Sequence, residues 1–446
     1  MTEPHPPTPY ARRLGLFDGT MLVMGGIIGA GIFLNPAIVA QRVSSGGLEI
    51  GVWVLGGAIA LAGAFCFAEL GARLPRAGGG YVYLREAFGP LPGFLYGWAL
   101  LLVIATGAIA AVAVTFARYA VVLVGGSERA VTPVAVGAIA FLSIVNYFGV
   151  QFGAWTQNVF TVLKLVALAV LIGVGLVVAP GAVVPAETAL SSGTFPLVAA
   201  IGTALVPVLF SYGGWQQTNY VAEELIEPER TLPRALLYGV VGVVVIYVLT
   251  NVVYVRQLGV GGLAASLAPA ADVMQATVGK TGATFIAAGI AFSTFGFLNL
   301  VILVTPRVYQ TMAADGLFFR RAAALHPRYK TPSAALAFQA AWAIVLTLSG
   351  TYGQLLDYVV FGDWIFFGLT GLTVLVFRIR DAGRGTLAGK TYRAPWYPLM
   401  PLLFAGAALY VVISSVASNP RNALVGTTIL AAGLPAYAFL RRRARR

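Results

Sequence analysis

Long apolar segments follow one another along almost the whole of this 446-residue chain, and they constrain its fold more than any other feature. Each is about 20 residues long, the length that an α-helix needs to cross the hydrocarbon core of a bilayer. Only 10% of the residues are charged, whereas soluble domains carry roughly 25%. The sequence therefore predicts an all-α polytopic membrane protein with twelve transmembrane helices. The predicted spans lie near residues 16–40, 48–72, 89–124, 132–149, 155–179, 197–222, 234–256, 283–312, 333–350, 355–378, 396–416 and 422–440.

The distribution of positive charge indicates how these spans are oriented. The net charge of +13 could suggest a nucleic-acid partner, but most of the Lys and Arg residues fall in the tails and connections of one side. The opposite side holds Arg42, Arg118, Arg129, Arg256, Lys280 and Arg421. This asymmetry follows the positive-inside rule and predicts that both termini are cytoplasmic. We expect membrane lipid as a partner, with anionic headgroups near the basic tail 441–446, and no nucleic acid.

The sequence offers little for catalysis or for metal binding. The first 15 residues are rich in proline and read as a cytosolic tail rather than a signal peptide. The one cysteine, Cys66, lies within an apolar segment, and the two histidines lie in polar segments. No spacing of His, Cys, Asp and Glu suggests a metal site, and no phosphate-binding loop is present. We therefore predict neither an enzyme nor a cofactor, and no ATP-driven pump.

Two apolar segments are interrupted in matching ways. The first contains Gly-Gly-Ile-Ile-Gly-Ala-Gly-Ile-Phe at 25–33, and the sixth contains Phe-Ser-Tyr-Gly-Gly-Trp at 210–215. Such breaks are tolerated in a membrane only where the freed backbone lines a cavity or binds a ligand. A pair of them in corresponding positions of two halves indicates the substrate site of a transporter.

The spacing of the two interruptions also predicts an internal repeat. Five spans separate Gly29 from Gly213, and a shift by an odd number of spans reverses the orientation of the second half. We expect an inverted repeat of five plus five helices, followed by two more. The predicted units are a cytosolic tail 1–15, repeats 16–180 and 196–380, helices 11 and 12 at 394–440, and the tail 441–446.

Several sequence blocks, in this order, resemble the amino acid–polyamine–organocation superfamily, and within it the L-type amino acid transporter light chains and their prokaryotic relatives. The blocks are Ile-Ile-Gly-Ala-Gly-Ile-Phe (27–33), Phe-Ala-Glu-Leu-Gly-Ala-Arg-Leu-Pro-Arg-Ala-Gly-Gly-Gly-Tyr (67–81), Phe-Ser-Tyr-Gly-Gly-Trp-Gln-Gln-Thr-Asn-Tyr-Val-Ala-Glu-Glu (210–224) and Gly-Leu-Pro-Ala-Tyr (433–437). The resemblance implies the LeuT-like inverted repeat already expected from the spacing, with helices 1 and 6 broken.

This chain departs from that family in two places. Eukaryotic light chains have a cysteine after span 3 that joins a heavy chain, whereas residues 124–133 contain none. We therefore expect a stand-alone prokaryotic transporter in the inner membrane, without a disulfide-linked heavy chain and with an oligomeric state that the sequence does not specify. The family often has an asparagine before the tryptophan of span 10, where this chain has Asp363.

The first interruption predicts an anion site. The N-terminus of the half-helix that follows it carries free N–H donors and a partial positive charge, from Gly29 onward. The resemblance assigns the carboxylate of an amino acid to the backbone of Ala30 and Gly31. Close packing of helices through small residues is the alternative.

The second interruption predicts acceptors for a cation. The resemblance places the substrate ammonium against the carbonyls of Ile27, Phe210 and Gly213. It also makes the Phe210 ring a lid over the substrate, and Trp215 a second gating residue, although either ring could simply pack. Ser211 and Gln216 are expected to tune selectivity, and Gln216 could equally cap the broken backbone.

Three further sets of charged residues are candidates for function. Lys164 must lie within span 5, and the resemblance places its amine where sodium-coupled relatives hold a cation; snorkelling to the interface is the alternative. Asp363 should lie deep in span 10, where it could favour a cationic or polar substrate, carry a proton or hold a helix break. Glu69, Glu223 and Glu224 are predicted to form inner-gate ion pairs near Arg73, Arg76 and Arg230, and a solvated helix end is the alternative.

These observations predict a sodium-independent secondary transporter of L-amino acids that works by alternating access. Recognition through the backbone favours a broad, neutral substrate range, and exchange is the expected mode because Lys164 removes the obvious sodium site. A proton-coupled symporter, or an antiporter of cationic amino acids or polyamines, remains the alternative.

Overall fold

The computed structural model describes residues 10–43, 45–180, 194–349, 352–384, 391–418 and 420–444. Most of the predicted N-terminal tail, Lys390 and the last two arginines of the basic tail lie outside the described residues. The α-helices are α1 (Leu16–Ile27), α2 (Gly31–Ala40), α3 (Gly46–Arg73), α4 (Gly80–Phe88), α5 (Pro90–Ala99), α6 (Ala105–Leu123), α7 (Val131–Tyr147), α8 (Val150–Val177), α9 (Thr194–Ser211), α10 (Pro228–Ala265), α11 (Pro269–Val278), α12 (Lys280–Val304), α13 (Pro306–Ala314), α14 (Ser333–Ser349), α15 (Tyr352–Arg384), α16 (Leu399–Ser418) and α17 (Pro420–Ala444).

The described part of the chain is all-helical, apart from one isolated bridge between Leu14 and Leu225. Ten of its helices or helix pairs are long and apolar enough to cross a membrane, and the bent pair α1 and α2 would make an eleventh. The ninth expected span corresponds to α14, an apolar helix of 17 residues that is shorter than the 18 residues counted here as long enough to cross a membrane. The chain is therefore a polytopic helical membrane protein, and the count of twelve spans stays a prediction.

Local chemistry explains where many of these helices begin. Proline occupies the first turn of α5, α10, α11 and α13, where its missing N–H costs no intrahelical hydrogen bond. The Ser45 hydroxyl accepts a hydrogen bond from the backbone N–H of Leu48 and caps α3.

Both glycine-containing interruptions are non-helical. Helix α1 ends at Ile27 and α2 begins at Gly31, with a bend of 40° between them. Helix α9 ends at Ser211, and a 3₁₀ helix, Trp215–Glu224, follows Gly213 and Gly214. A third irregularity lies between α5 and α6, where residues Leu100–Ile104 form a π-helical turn. Such turns often accompany functional sites.

Helices α3 and α10 pack closely because glycines of α3 lie against valines of α10. A Cβ atom built on Gly46 would lie 2.6 Å from Val255, and one built on Gly57 would lie 2.8 Å from Val244. The two contacts define an antiparallel register along the pair. Close approach through small residues is the usual way in which helices associate in membranes, where lipid removes the hydrophobic driving force.

Candidate functional site

The two interruptions face one cavity of about 320 Å³. Its wall also includes the π-helical turn, part of α12 and the middle of α15. All nine residues predicted to bind substrate line it, namely Ile27, Gly29, Ala30, Gly31, Phe210, Ser211, Gly213, Gln216 and Asp363. The volume falls at the lower end of the range of roughly 300–1,000 Å³ that is typical of small-molecule sites.

The first interruption leaves backbone donors free at the N-terminus of α2. The N–H of Gly29 donates to the carbonyl of Ile27 at 2.9 Å. Among the described residues, the N–H groups of Ala30 and Gly31 have no acceptor. Unpaired donors at a helix N-terminus form a site for an anion such as a carboxylate.

The carbonyls of the first interruption are held by side chains from two other helices. The Nζ atom of Lys164, on α8, lies 2.6 Å from the carbonyl oxygen of Ile28 and 3.1 Å from that of Gly25. From α12, the Ser293 hydroxyl lies 3.1 Å from the Ile28 oxygen and 3.2 Å from the Gly29 oxygen. Lys164 is fully buried, so its side chain does not snorkel to the membrane interface.

The second interruption owes its shape to glycine. Gly214 has φ of +108°, and a Cβ atom there would lie 2.1 Å from the carbonyl oxygen of Gly26. A side chain at this position would therefore be strained and would also separate the two interruptions. Gln216 caps the break, because its Oε1 atom accepts a hydrogen bond of 2.9 Å from the N–H of Gly214. The cap that the sequence left as an alternative is therefore present, and Gln216 also lines the cavity.

The carbonyls predicted to hold the ammonium differ in their availability. The Ile27 oxygen already accepts hydrogen bonds from the Gly29 N–H and from the Tyr247 hydroxyl, at 2.9 and 3.0 Å. The Phe210 oxygen accepts one from the Gly213 N–H at 3.1 Å, and the Gly213 oxygen has no donor among the described residues. A carbonyl has two lone pairs, so Phe210 and Gly213 can accept from a ligand while Ile27 is saturated. We therefore leave Ile27 out of the ammonium site.

Two residues that the sequence analysis missed connect the interruptions. The Tyr247 hydroxyl on α10 lies 3.0 Å from the carbonyl oxygen of Ile27 and 3.3 Å from that of Ser211. Asn35 on α2 donates to the Ser211 hydroxyl at 2.7 Å and to the Pro207 carbonyl at 3.0 Å. Both are polar residues inside apolar spans, and this polarity is the sequence feature that could have identified them.

The two aromatic residues predicted to gate the cavity occupy different places. Phe210 lines the cavity, and 42% of its surface is exposed there. Trp215 lies outside the cavity wall, is 2% exposed and packs edge-on against Phe67, with ring centroids 5.0 Å apart. We therefore assign Trp215 to core packing and not to gating.

Asp363 is a carboxylate in the cavity wall, and no residue that the structure describes pairs with it. Among the described residues it forms no ion pair or hydrogen bond, and it is half-buried because its side chain meets the cavity. An ionisable group in a membrane span normally pairs, binds a proton or faces water. Because no described residue pairs with it, this carboxylate is available to a ligand, a proton or water in the cavity.

Ion pairs join the helices on the side that carries Arg73. Glu69 pairs with Arg378, with Oε2 and Nη2 2.6 Å apart, and the carboxylate also accepts from the N–H of Ala394. Arg73 pairs with Asp381 at 2.5 Å. Glu69 does form an ion pair, but its partner is Arg378 and not Arg73 or Arg76, and its gating role stays a prediction. Arg378 was missed because it lies far from Glu69 along the chain.

A second ion pair is fully buried. Its two residues follow the cavity-lining residues of α12 and of the 3₁₀ helix by about one helical turn along the chain. The Nε atom of Arg307 lies 2.7 Å from Oε1 of Glu224. The backbone of Leu14 donates to the Glu224 carbonyl at 3.0 Å, so the segment before α1 closes over the pair. Nearby, burial raises the pKa of Tyr10 well above its usual value, so its hydroxyl stays neutral. Glu223 is half-buried in the same 3₁₀ helix, and its gating role stays a prediction.

Known transporters are similar in sequence to this chain over most of its length. The family model described as amino acid permease matches residues 14–437. The b(0,+)-type amino acid transporter 1 of Mus musculus is 33% identical over 420 residues, which are 93% of this chain and 84% of that protein. The serine/threonine exchanger SteT of Bacillus subtilis is 30% identical over 437 residues, 97% of each chain. The large neutral amino acids transporter small subunit 2 of Mus musculus is 31% identical over 435 residues, 96% of this chain and 80% of that protein.

Proposed function

This chain belongs to the amino acid permease family of the amino acid–polyamine–organocation superfamily, and we propose that it exchanges L-amino acids across a membrane without sodium. The members of the family that are compared above are transporters and not enzymes.

The observation that carries this proposal is the pairing of free donors and free acceptors around one cavity. The N–H groups of Ala30 and Gly31 suit a carboxylate, and the carbonyls of Phe210 and Gly213 suit an ammonium. Both charges belong to every α-amino acid, whereas the side chain differs. A site that reads the zwitterion through the backbone accepts several amino acids, and we propose a broad range of neutral substrates.

Sodium independence rests on Lys164. Its ammonium group occupies the carbonyls of Gly25 and Ile28, which would otherwise be the oxygen ligands of a cation. A second positive charge at the same oxygens would meet electrostatic repulsion, and the Ile28 oxygen already accepts hydrogen bonds from both Lys164 and Ser293. The role of cation substitute is therefore part of the proposal.

Alternating access would use the two sides of the cavity in turn. Phe210 would act as the lid on one side. The ion pairs of Glu69 and Glu224 would form the inner gate, which must open for release. We assign twelve spans with an inverted repeat, cytoplasmic termini and a prokaryotic inner membrane on the sequence patterns given above. A stand-alone protein fits the lack of cysteine in residues 124–133.

A second candidate function is the transport of amino acids with a cationic side chain. The observation in its favour is Asp363, a carboxylate in the wall of the cavity that pairs with no described residue. A protonated Lys or Orn side chain would supply the opposite charge that this group lacks.

Uptake of labelled amino acids into proteoliposomes tests both candidates. Liposomes loaded with unlabelled amino acid should take up label rapidly, and empty liposomes slowly, whether or not sodium is present. Serine and leucine probe neutral substrates, while lysine and ornithine probe cationic ones. A requirement for sodium would overturn the assignment of Lys164, and equal uptake into empty and loaded liposomes would overturn exchange. No uptake of any amino acid, with binding intact, would overturn transport itself.

A further inference from the structure

Glu49 is a buried carboxyl group that neither the cavity nor the ion pairs use. It lies in the first turn of α3, at the end remote from Arg73, and none of its surface is exposed. Its Oε1 atom accepts a hydrogen bond of 3.1 Å from Nε1 of Trp53. Its Oε2 atom is buried and has no hydrogen-bond partner among the described residues.

No described cation neutralises Glu49. The titratable side chains on the elements packed against this half of α3 are Arg42, Tyr212, Tyr247, Tyr254, Arg256 and Tyr410. The Arg42 side chain is exposed and donates instead to the carbonyl of Thr203, and Arg256 is exposed. Within the described part of the chain, Glu49 takes part in no ion pair.

A carboxylate in this position would be strongly destabilised. An ionised oxygen that is removed from water needs a counter-charge or several donors, and Oε2 has neither. The N-terminus of α3 favours negative charge, but that effect is small beside the loss of hydration. The neutral acid avoids this penalty and can donate its proton to an acceptor. We propose that Glu49 is a proton-binding site, which holds its proton in this conformation and loses it when the α3–α10 interface admits water.

The facing helix offers a polar atom at the same level. The contacts of Gly46 with Val255 and of Gly57 with Val244 place position 49 opposite the turn that contains Asn251. Oδ1 of Asn251 is buried and has no donor among the described residues. A protonated carboxyl and a bare amide oxygen on facing turns are complementary.

Glu49 is also connected to the substrate cavity. The Trp53 ring, which binds Glu49, lies 5.7 Å from the ring of Tyr247. The Tyr247 hydroxyl in turn donates to carbonyls of both interruptions. Movement of α10 away from α3 would therefore disturb Glu49 and the cavity together.

The burial of Glu49 gives the pH dependence of the conformational equilibrium a definite sign. Because only the protonated form of Glu49 suits the buried position, low pH stabilises the conformation seen here. At higher pH the carboxylate favours a conformation in which it reaches water. The rate of transport should therefore depend on pH through Glu49; this step rests on the proposed transport function, whereas proton binding does not.

Infrared difference spectroscopy of the purified protein in lipid nanodiscs tests proton binding directly. At neutral pH the wild-type protein should show the carbonyl stretch of a protonated carboxyl that is absent from Glu49→Gln. The control is Glu128→Gln, which makes the same change at an exposed glutamate in the short 3₁₀ turn before α7 and should leave that band unchanged. A band that is identical in wild type and Glu49→Gln would overturn the proposal.

Uptake into proteoliposomes tests the coupling. Wild-type uptake should differ at least about threefold between about pH 6 and about pH 8, whereas Glu49→Gln should be flat. Glu49→Leu, which also lacks a titratable group, should give the same flat profile, and Glu128→Gln should follow wild type. Variants that keep the wild-type profile would overturn coupling through Glu49. A wild-type protein without uptake would instead remove the proposed function and leave the spectroscopic test valid.

Discussion

The two interruptions look alike in sequence but are held in different ways. In the first, between Ile27 and Gly31, side chains from α8 and α12 bind the freed carbonyls. In the second, at Gly213 and Gly214, the backbone itself makes the turn; the neighbouring Gln216 caps it, and the Tyr247 hydroxyl contacts the preceding Ser211 carbonyl. The first should therefore fail when a side chain is removed, and the second when one is added.

The substitution Gly214→Ala should have the largest effect. It places a methyl group 2.1 Å from the Gly26 oxygen and forces φ of +108° on a residue that avoids it, at a cost of about 1–3 kcal/mol for the strain alone. We expect uptake to fall by roughly 100-fold or more. Gly213→Ala is the matched control, because its new atom would meet the Phe210 oxygen at 3.3 Å and needs only a small shift. Equal uptake by the two variants would contradict the assigned role of Gly214.

Lys164→Ala should have the next largest effect, because it leaves the carbonyls of Gly25 and Ile28 without their shared donor. The Ile28 oxygen keeps its hydrogen bond from Ser293, whereas the Gly25 oxygen has no other donor among the described residues, and an unsatisfied buried group costs about 1–3 kcal/mol. Uptake should fall roughly 10- to 100-fold, together with the thermal stability of the purified protein. Lys280→Ala removes an exposed lysine at the start of α12 and should match wild type in both measurements. Normal uptake by Lys164→Ala would show that the first interruption does not need its side-chain support.

Tyr247→Phe removes a single hydroxyl that serves both interruptions. The Ile27 carbonyl keeps its bond from Gly29, so the expected loss is smaller, about 1 kcal/mol. We expect a fall in uptake of roughly fivefold, measured as initial rate at saturating and at low substrate. Tyr238→Phe, at an exposed position on the same helix, is the control. If Tyr247→Phe took up substrate as fast as wild type, the two interruptions would be independent of each other.

Gly29→Ala should have the smallest effect. The nearest atom to its new methyl group would be Phe297 Cδ2 at 3.8 Å, an ordinary contact, and its backbone lies outside the left-handed region. Uptake should stay within about twofold of wild type. Gly31→Ala is the contrasting variant, since its methyl group would lie 2.6 Å from the Ser211 hydroxyl and 3.1 Å from its Cα atom. A loss at position 29 as large as that at position 31 would mean that the substrate itself approaches Gly29 closely.

The polar residues show which parts of the site could be predicted from the sequence and which could not. The interruptions were found from sequence because a run of glycines in an apolar span weakens the helix that lipid would require there. Lys164 was found because a charge within a span is conspicuous. Tyr247 and Asn35 were missed, since a single neutral polar residue in a span indicates no partner. Glu69 was expected to pair with an arginine close to it in the sequence, but it pairs with Arg378, because residues far apart along the chain can be neighbours in a helix bundle.

The sequence by itself determined that this chain is a helical membrane protein with two backbone breaks, because segment length, apolar composition and glycine act locally along the chain. Which atoms meet at those breaks was decided only by tertiary structure. The amine of Lys164 lies on the carbonyls of Gly25 and Ile28, Trp215 packs away from the cavity, and Asp363 faces the cavity with no partner in the described part of the chain. These outcomes depend on how helices rotate and approach one another, and packing across the bundle fixes that rotation.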